Sequence, residues 1–572
     1  MQLNRPVTSA LIDLLRSDLA TADFSVSALT GLWGIEADAA LLRNQRVPAL
    51  RALDGLRGTL GHTEPCSTLA RLFVLGLPVD RMDLDAALPA LGAAGAEELG
   101  LAASVVAAGA SHDAAVGPSA DDGTGTRTLH PLLELRPYSF VDARGAGSWW
   151  IVSDLGELAL GHPLGESHVL GVGGASLTLS GLLIPTLVSR ALDVGTGCGI
   201  QAMHASRHAD HVVATDISVR ALELAALNAE LNGIDNIEFR LGSLFEPVAG
   251  ERFDHIISNP PFVITPRVPG VPAYEYRDGG LVGDALVEAV VRGAADHLNP
   301  GGIAQLLGNW EYHAGQDAFD RLARWLDAPA DGAAAGAEAE AGSGAGAGAG
   351  AGPGAGSQGT DAIALDAWII EREVQAPTLY AETWIRDGGT RADTADFDRL
   401  YGAWLNDFEA RGVSQVGFGY LLLRRPADST FRPVLRRLER LPGALGHNPG
   451  GMGSHLAACL AAHDWHAATD DAVLARARLT VASDVTEERH YWPGQEDPTL
   501  MTLHQGGGFG RSIALDTGLA ALVGASDGEL DVGSIVSALA QLLDVEERAL
   551  AADLFPRVRE LLDDGFLQHP LA

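Results

Sequence analysis

The chain has 572 residues, a formal net charge of −35 and 47% hydrophobic residues. Such a length exceeds one ordinary domain, and roughly three are expected. The acidic charge disfavours a polyanionic substrate unless the chain holds a local basic patch, and it favours a basic protein partner.

Cysteine usage and hydropathy point to a cellular compartment. The three cysteines, Cys66, Cys198 and Cys459, lie far apart and form no C-x-x-C pair. This excludes a disulfide framework and a cysteine-based zinc site. No apolar run approaches the length that spans a bilayer, and acidic residues interrupt the N-terminal apolar stretch, unlike a signal peptide. We therefore expect a cytoplasmic protein without a membrane partner.

Residues 1–125 are predicted to form a helical, winged-helix-like N-terminal module. Apolar residues between Leu11 and Leu19 recur at helical spacing, and a second helix precedes a turn at Gly76 and Pro78. A helix, a turn, another helix and a hairpin are typical of modules that recognise a substrate. A domain that serves only for packing is the alternative.

Residues 126–430 are predicted to hold the catalytic domain. Two strand candidates, 132–138 and 149–154, flank a glycine-rich turn. Apolar strands at 191–194, 212–215 and 256–257 then alternate with helical patterns. Such alternation implies right-handed crossovers and a parallel sheet, whose ligands bind at the carboxyl ends of the strands.

A glycine-rich loop follows the first of these apolar strands. Gly195 and Gly197 allow positive φ and a close approach to a ligand, and the next helix offers free N–H groups. A dinucleotide fingerprint needs a glycine where this chain has Ile200, and Asp193 suits a cationic ligand better than a pyrophosphate. Asp216 ends the next strand, where a carboxylate can accept both hydroxyls of a ribose. A tight turn without a ligand is the alternative.

The motif Asn259-Pro260-Pro261-Phe262 follows the third strand. The two prolines stiffen the turn and cannot continue a central strand. The side-chain carbonyl of Asn259 and the backbone carbonyl of Pro260 are two acceptors that can hold a planar NH2 group, and Phe262 offers a face for stacking. Orientation and stabilisation of positive charge on nitrogen would then supply most of the rate gain. A purely structural turn is the alternative.

Together these motifs resemble the class I S-adenosylmethionine-dependent methyltransferases of the amino-methylating type, over residues 166–312. The NPPF motif followed by Val263 to Pro266 is similar to the release-factor glutamine N5-methyltransferases, especially their eukaryotic and archaeal branch. The same motif occurs in RNA guanine N2-methyltransferases and adenine N6-methyltransferases. The resemblance implies S-adenosyl-L-methionine as the cofactor and NPPF as the catalytic turn.

The resemblance also implies a set of cofactor-binding residues. Those expected around the methionine end, the ribose and the adenine are Asp193, Gly195, Thr196, Gly197, Gly199, Asp216, Ile217, Ser243, Leu244 and Asn259. The family often has an acid on the adenine amine where this chain has Ser243. We therefore expect backbone contacts to the adenine there.

Residues 328–360 are dominated by alanine and glycine, which is typical of a flexible, disordered linker. We do not expect this segment to end the domain, because the sheet still lacks two strands at that point. Strand candidates at 367–373 and 417–424 supply them. The predicted fold class is α/β, a doubly wound, seven-stranded Rossmann-like methyltransferase sheet with winged-helix-like α+β modules at both ends.

Residues 431–572 are predicted to form an acidic C-terminal module, which is winged-helix-like at its end. Between Asp527 and Asp564 there are ten carboxylates and three arginines, which argues against binding to a phosphate backbone.

Two histidine groups could suggest a metal. They are His204, His208 and His211, and His455, His463 and His466. We expect both groups to be solvated faces and predict no metal site, because no carboxylate completes either set.

These observations predict methyl transfer from S-adenosyl-L-methionine to a planar NH2 nitrogen. The favoured substrate is a glutamine side chain of a protein such as a translation factor. One alternative is an exocyclic amine in RNA or DNA, and another is a cofactor-binding scaffold with little turnover. The resemblance also leaves room for a small activating partner, which some relatives need.

Overall fold

A computed structural model describes residues 5–105, 128–161, 164–272, 274–327, 365–427 and 434–569. The predicted Ala/Gly-rich insertion, 328–360, lies outside these ranges. Within them, no helix is long and apolar enough to cross a membrane.

The N-terminal region combines helices with a small antiparallel sheet. Its helices are α1 Arg5–Thr21, α2 Val26–Trp33, α3 Ile35–Leu41, α4 Val47–Leu60, α5 Pro65–Leu69, α6 Arg81–Ala87 and α7 Gly92–Glu98, with a π-helical turn at Ala70–Val74. Its strands are β1 Val79–Asp80, β2 Ala102–Val105 and β3 Thr128–Pro131, in the order β1-β3-β2. Ile12, Leu15 and Leu19 of α1 are at most 1% exposed, so the apolar stripe of this helix faces the core.

A long hairpin and two short helices join this region to the catalytic sheet. The hairpin consists of β4 Leu133–Asp142 and β5 Gly145–Asp154, which pair antiparallel along their whole length. Helices α8 Glu157–Leu160 and α9 Gly174–Leu182 follow. The hairpin agrees with the two strand candidates that flank a glycine-rich turn in the sequence.

The catalytic region alternates strands and helices. Its elements are β6 Val188–Val194, α10 Ile200–Ala205, β7 Ala209–Asp216, α11 Val219–Leu231, β8 Ile237–Leu241, a 3-10 turn at Glu246–Val248, β9 Phe253–Ser258, α12 Ala285–His297, β10 Leu298–His313, α13 Ala318–Asp327, β11 Asp366–Gln375, α14 Pro377–Asp387, α15 Ala395–Arg411, β12 Val413–Arg424 and β13 Arg436–Arg440.

The large sheet has eight strands in the order β13-β11-β12-β10-β9-β6-β7-β8. Strand β12 runs antiparallel to β10 and β11, and the other neighbouring pairs are parallel. Strands β6 to β12 reproduce the predicted seven-stranded sheet, and β11 and β12 are the two strands expected after the Ala/Gly-rich segment. Strand β13 adds an eighth strand beyond the predicted domain limit at residue 430.

The strand order creates a switch point between β6 and β9. The chain builds outward through β7 and β8 on one side of β6, and then returns to place β9 and β10 on the other. Leu192, Val213 and Ile256 on the central strands are fully buried, as expected for a parallel sheet covered on both faces. Ligands bind outside the carboxyl ends of the strands at such a point, so the loops after β6, β7 and β9 define the site.

Two asparagines fasten the hairpin to the catalytic region. The Asn228 side chain accepts from the N–H of Val152 across 2.7 Å and donates to the Val152 carbonyl across 2.9 Å. Asn232 makes the equivalent pair of bonds with the backbone of Trp150. These amides satisfy backbone groups along β5 that no strand satisfies on that side, so β5 is held on α11 without joining the large sheet.

The C-terminal region packs directly on the same sheet. Its elements are α16 Gly453–Ala467, α17 Asp471–Ala475, β14 Thr480–Val481, β15 Val485–His490, β16 Leu500–Gln505, β17 Ser512–Leu515, α18 Thr517–Gly524, α19 Val532–Leu543, α20 Glu547–Asp563 and β18 Leu567–Gln568. Leu456 of α16 shares a hydrophobic cluster with Trp368 of β11. Arg424 at the end of β12 pairs with Asp366 across 2.8 Å and with Asp464 across 2.7 Å. The two regions therefore share a core.

Candidate active site

A cavity of about 300 Å³ opens at the carboxyl ends of β6, β7 and β9. The predicted site residues on its lining are Gly195, Thr196, Gly197, Asp216, Ile217, Ser243, Leu244, Asn259, Pro260 and Pro261. The other three predicted residues, Asp193, Gly199 and Phe262, are not part of the lining. Residues from loops that are separate in sequence thus meet around one space at the switch point.

The glycine-rich loop takes the left-handed backbone that its sequence predicts. Gly195 and Gly197 have φ of +74° and +55°. The N–H groups of Gly195 and Thr196 both donate to the Thr215 carbonyl across 2.9 Å, which anchors the loop on β7. Gly199 has φ of +89°, and a Cβ there would lie 3.0 Å from the Cβ of Ala225 on α11. Gly199 therefore permits close packing of two helices and supports the loop from behind.

Asp193 supports the loop from inside the core. Its side chain is fully buried, and Oδ2 accepts from the Thr196 hydroxyl across 2.6 Å and from the Ala202 N–H across 2.9 Å. Burial raises the pKa of Asp193 to about 7, although these two hydrogen bonds act in the opposite direction. Its Oδ1 is buried without a hydrogen-bond partner among the described residues. A ligand with positive charge nearby would stabilise the ionised form.

Asp216 ties the acid-tipped strand to the glycine-rich loop. Its Oδ2 accepts from the Gly197 N–H and its Oδ1 from the Ser218 N–H, both across 2.9 Å. Burial raises the pKa of Asp216, against these hydrogen bonds. Each carboxylate oxygen can accept a further hydrogen bond, and Asp216 lines the cavity, as the predicted contact to ribose hydroxyls requires.

The loop after β8 forms one wall of the cavity, where we expect the adenine. Leu244 has φ of +47°, a left-handed conformation that is uncommon for residues other than glycine. A Cβ at Gly242, whose φ is +153°, would meet the ring of Pro247 at 2.5 Å. Gly242, Ser243 and Leu244 all line the cavity, and backbone contacts from this loop to the adenine stay a prediction.

The catalytic turn presents two unused acceptors. The Asn259 Oδ1 is buried and has no hydrogen-bond partner among the described residues. The Pro260 carbonyl likewise receives no hydrogen bond from any residue that the structure describes. The next carbonyl, of Pro261, is already used, because it accepts from the Gly279 N–H across 3.1 Å. Two acceptors at the cavity wall thus remain available for the two N–H bonds of a planar NH2 group.

Phe262 is placed differently from the other residues of its motif. The centre of its ring lies 5.5 Å from that of Phe418 on β12, and the side chain packs on three neighbouring hydrophobic clusters. Its contacts here are therefore those of a core residue, and stacking on an acceptor group stays a prediction.

The lining also includes Ser176, Gln201, His168 and Tyr276, which are outside the predicted set of site residues. Gln201 is 3% exposed, and its Nε2 donates to the Ser176 carbonyl across 2.8 Å. A polar residue directly after the glycine-rich loop is a signal that could have identified Gln201. The positions of His168 and Tyr276 depend on long-range packing.

Two histidines of the first group, His204 and His208, are buried, which corrects the prediction that this group forms a solvent-exposed face. His204 and His208 are 6% and 5% exposed. His204 Nε2 lies 3.0 Å from the Tyr138 hydroxyl, and His208 Nε2 lies 2.9 Å from His255 Nδ1. Burial lowers the pKa of both His204 and His208 to about 4. These neutral rings belong to the core.

Two histidines of the second group, His463 and His466, form hydrogen bonds with a carboxylate that is distant in sequence. His466 Nε2 and His463 Nδ1 lie 2.7 and 3.3 Å from Oδ1 of Asp563, which comes from α20. The expectation that no carboxylate completes this set was therefore wrong. Burial would raise the pKa of Asp563, but the hydrogen bonds to both histidines outweigh it and lower the pKa to about 2. The three side chains therefore form a group that could hold a metal ion, and the absence of a metal site stays a prediction.

The chain resembles known methyltransferase families in its central part. Residues 174–322 match the family described as methyltransferase small domain. Residues 21–113 and 457–569 match two domains of unknown function, DUF7059 and DUF7782.

Three curated relatives show the same resemblance. A ribosomal protein uL3 glutamine methyltransferase from Bradyrhizobium diazoefficiens is 36% identical over 174 residues, or 28% of this chain and 53% of the relative. A release factor glutamine methyltransferase from Xylella fastidiosa is 38% identical over 135 residues, or 22% of this chain and 48% of the relative. A ribosomal RNA small subunit methyltransferase C from Salmonella paratyphi A is 29% identical over 208 residues, or 33% of this chain and 56% of the relative. The chain thus spans about half the length of these relatives.

Among solved structures, a T. thermophilus 16S rRNA N2 G1207 methyltransferase in complex with AdoMet and guanosine is 20% identical, with a TM-score of 0.25. The match covers 44% of this chain and 59% of that chain. The family match and the relatives confirm the resemblance inferred from the two motifs. Residues 174–322 match the methyltransferase small domain family and, with these relatives, resemble the class I S-adenosylmethionine-dependent methyltransferases, whose cofactor is S-adenosyl-L-methionine.

Proposed function

We propose that this protein methylates a planar NH2 nitrogen, and that its substrate is a glutamine side chain of a protein such as a translation factor. The observation that carries the proposal is the pair of unused acceptors at the cavity wall, Asn259 Oδ1 and the Pro260 carbonyl. They match the two N–H donors of a primary amide. The cavity formed by the glycine-rich loop and Asp216 would hold the cofactor beside them.

The role of the chain in this reaction is orientation. When bound, S-adenosyl-L-methionine supplies a methyl group made electrophilic by its sulfonium. Asn259 and Pro260 hold the two N–H bonds and so direct the nitrogen lone pair toward that methyl group. As the N–C bond formed and the bond between sulfur and the methyl group broke, with the thioether as leaving group, both carbonyl oxygens would stabilise the positive charge on nitrogen, which would then lose a proton to water. No side chain has to act as a strong base.

Charge supports a protein substrate over a nucleic acid. A second cavity, of about 390 Å³, adjoins the first and shares His168 and Tyr276 with it. Its charged lining residues are Glu134, Asp154, Glu157, Asp387 and Arg136. Three of these carboxylates are ion-paired, Glu134 with Arg136, Asp154 with Arg220 and Asp387 with Arg277, so the wall offers no free cationic group for a phosphate. The net charge of −35 acts in the same direction.

A second candidate is methylation of an exocyclic amine in ribosomal RNA. The match to a relative named ribosomal RNA small subunit methyltransferase C, over 208 residues, favours it. Guanine and adenine also present a planar NH2 group to an Asn-Pro-Pro turn. The two candidates therefore differ in the substrate and share the same turn.

Transfer of label from methyl-labelled S-adenosyl-L-methionine into a cell extract tests the proposal. Label that only protease releases supports a protein substrate, whereas label released by nuclease favours the RNA candidate. Asn259→Ala should abolish either signal. The matched control is Asn299→Ala, because the Asn299 amide bonds Asp254 across 2.7 Å near the start of β10, at the other end of the sheet. Cofactor binding without any transfer would favour a scaffold role or a missing activating partner.

A further inference from the structure

The hydroxyl of Tyr276 is a buried polar group without a described partner. Its Oη is out of contact with solvent and forms no hydrogen bond with any described residue. Tyr276 lines the cofactor cavity and also the second cavity of about 390 Å³ that adjoins it. It therefore borders both cavities, and Asn259 and Pro260 line the first of them as well. A buried hydroxyl without a partner is costly unless a ligand supplies one.

The fold holds Tyr276 over the catalytic turn from two sides. Phe262 and Asp278 form an antiparallel β-bridge, and the Val263 N–H donates to the Arg277 carbonyl across 2.9 Å. On the other side, the Glu275 N–H donates to the Glu166 carbonyl across 2.9 Å. The segment that carries Tyr276 is thus paired with the NPPF turn itself.

The ring of Tyr276 has two aromatic neighbours. It packs edge-on against His168, with ring centres 6.0 Å apart, and lies tilted against the ring of Tyr274, with centres 5.6 Å apart. Because backbone and ring are both restrained, the hydroxyl is positioned before any substrate binds, and little entropy is lost when it forms a hydrogen bond.

The chemistry of a primary amide leaves one group without a partner. The amide has two N–H donors and one carbonyl acceptor. Asn259 and Pro260 can take the two donors, so the carbonyl oxygen still needs a hydrogen-bond donor. A phenol is a neutral donor, and burial raises the pKa of Tyr276, so it keeps its proton across the physiological range.

We infer that the Tyr276 hydroxyl donates a hydrogen bond to the carbonyl oxygen of the acceptor amide whose NH2 group Asn259 and Pro260 hold. This inference rests on the proposed function. It makes Tyr276 a substrate-binding residue that recognises the carboxamide as a unit. An amine, which lacks the carbonyl, leaves this buried donor unpaired and is rejected.

The test compares Tyr276→Phe with Tyr274→Phe, which removes a hydroxyl from the same segment. The Tyr274 hydroxyl donates to the Gly388 carbonyl across 3.3 Å, and Tyr274 is not on the lining of either cavity. The acceptors are purified release factor, ribosomal protein uL3 and small-subunit ribosomal RNA from the organism that supplies the enzyme. Initial rates give kcat and KM for each acceptor, and calorimetry gives the Kd of the cofactor.

Tyr276→Phe should raise KM for the protein acceptor by on the order of tenfold with little change in kcat, because the bond exists in both ground state and transition state. The Kd of the cofactor should stay unchanged, and Tyr274→Phe should behave like the wild type in all three quantities.

An unchanged KM in Tyr276→Phe overturns the inference and leaves the proposed function standing. So does a weaker cofactor affinity that accounts for the whole loss, since that result assigns Tyr276 to packing of the cavity. If the wild type labels only ribosomal RNA, the proposed function fails, and the amide contact fails with it.

Discussion

The backbone N–H of Gly197 donates to Oδ2 of Asp216 across 2.9 Å, so the glycine-rich loop and the acid at the end of β7 form one unit. Oδ2 of Asp216 holds the loop, and the residue also lines the cavity. Two motifs that are separate in sequence are therefore mechanically coupled at the cofactor site.

Asp216→Asn should weaken cofactor binding by on the order of 10 to 100-fold, because hydrogen bonds to a charged acceptor contribute about 1.5–3 kcal/mol. Calorimetric titration with S-adenosyl-L-methionine measures the change. Asp210→Asn is the control, since Asp210 is exposed near the start of the same strand. Equal affinity in Asp216→Asn and the wild type would remove Asp216 from the cofactor site.

Gly199→Ala should lower the free energy of unfolding by about 1–3 kcal/mol, because a Cβ must take a positive φ and press on Ala225 at 3.0 Å. Gly402→Ala is the matched substitution: Gly402 lies inside α15, and a Cβ there meets no atom within 4 Å. That variant should gain about 0.5–1 kcal/mol from helix propensity. Denaturant titration of both variants measures the change in the free energy of unfolding. A change of the same sign in both would contradict the role of Gly199 in positive φ and close packing.

Stability should fall as the pH drops below about 6.5, in part because of buried neutral histidines. The pKa of His208 is about 4 in the folded state, against 6.5 for the free side chain. The unfolded chain therefore binds more protons between these values, and the contribution is present above pH 6.5 and lost toward pH 4. The difference is worth on the order of 3 kcal/mol.

Unfolding free energies of His208→Gln at a series of pH values check this expectation. The loss between pH 6.5 and 4 should be smaller in this variant than in the wild type. His211→Gln serves as the control, because His211 is exposed, with 41% of its side chain accessible. If the free energy of unfolding of His208→Gln falls with pH as steeply as that of the wild type, other groups cause the loss of stability in acid.

Phe262→Ala should lower the free energy of unfolding by about 2 kcal/mol, since the ring packs on Phe418 and is partly buried. Phe262→Leu should keep most of that packing. Turnover measured in Phe262→Leu then separates the two roles. Wild-type kcat in this variant would mean that the ring serves the core, whereas a large loss with intact stability would restore the stacking role predicted from the motif.

Much of the catalytic region could be predicted from local sequence. The acidic residue before the glycine-rich loop, the acid at Asp216 and the NPPF turn each carry a backbone or hydrogen-bonding requirement that few residue types satisfy. The two strands after the Ala/Gly-rich segment could be predicted because a parallel sheet with that strand order was still incomplete. These inferences depend on short stretches of chain, so they can be made without knowledge of contacts between distant segments.

Other features depended on contacts between distant segments. The spacing of the histidines near α10 predicted that His204 is exposed to solvent, but the β4–β5 hairpin covers it. His466 forms a hydrogen bond with Asp563, which is 97 residues away in the chain. Residue 430 looked like a domain limit, although β13 pairs with β11 beyond it.

Local sequence predicts the glycine-rich loop, the acid expected to hold a ribose and the NPPF turn, because glycine, proline and a carboxylate each meet a backbone or hydrogen-bonding requirement that few residue types meet. The tertiary structure sets which side chains face the cavity. It buries Asp193 behind the loop, turns Phe262 toward Phe418 and brings Tyr276 over the turn. Side-chain direction at a site follows from packing between elements far apart in the chain, which periodicity within one element does not encode.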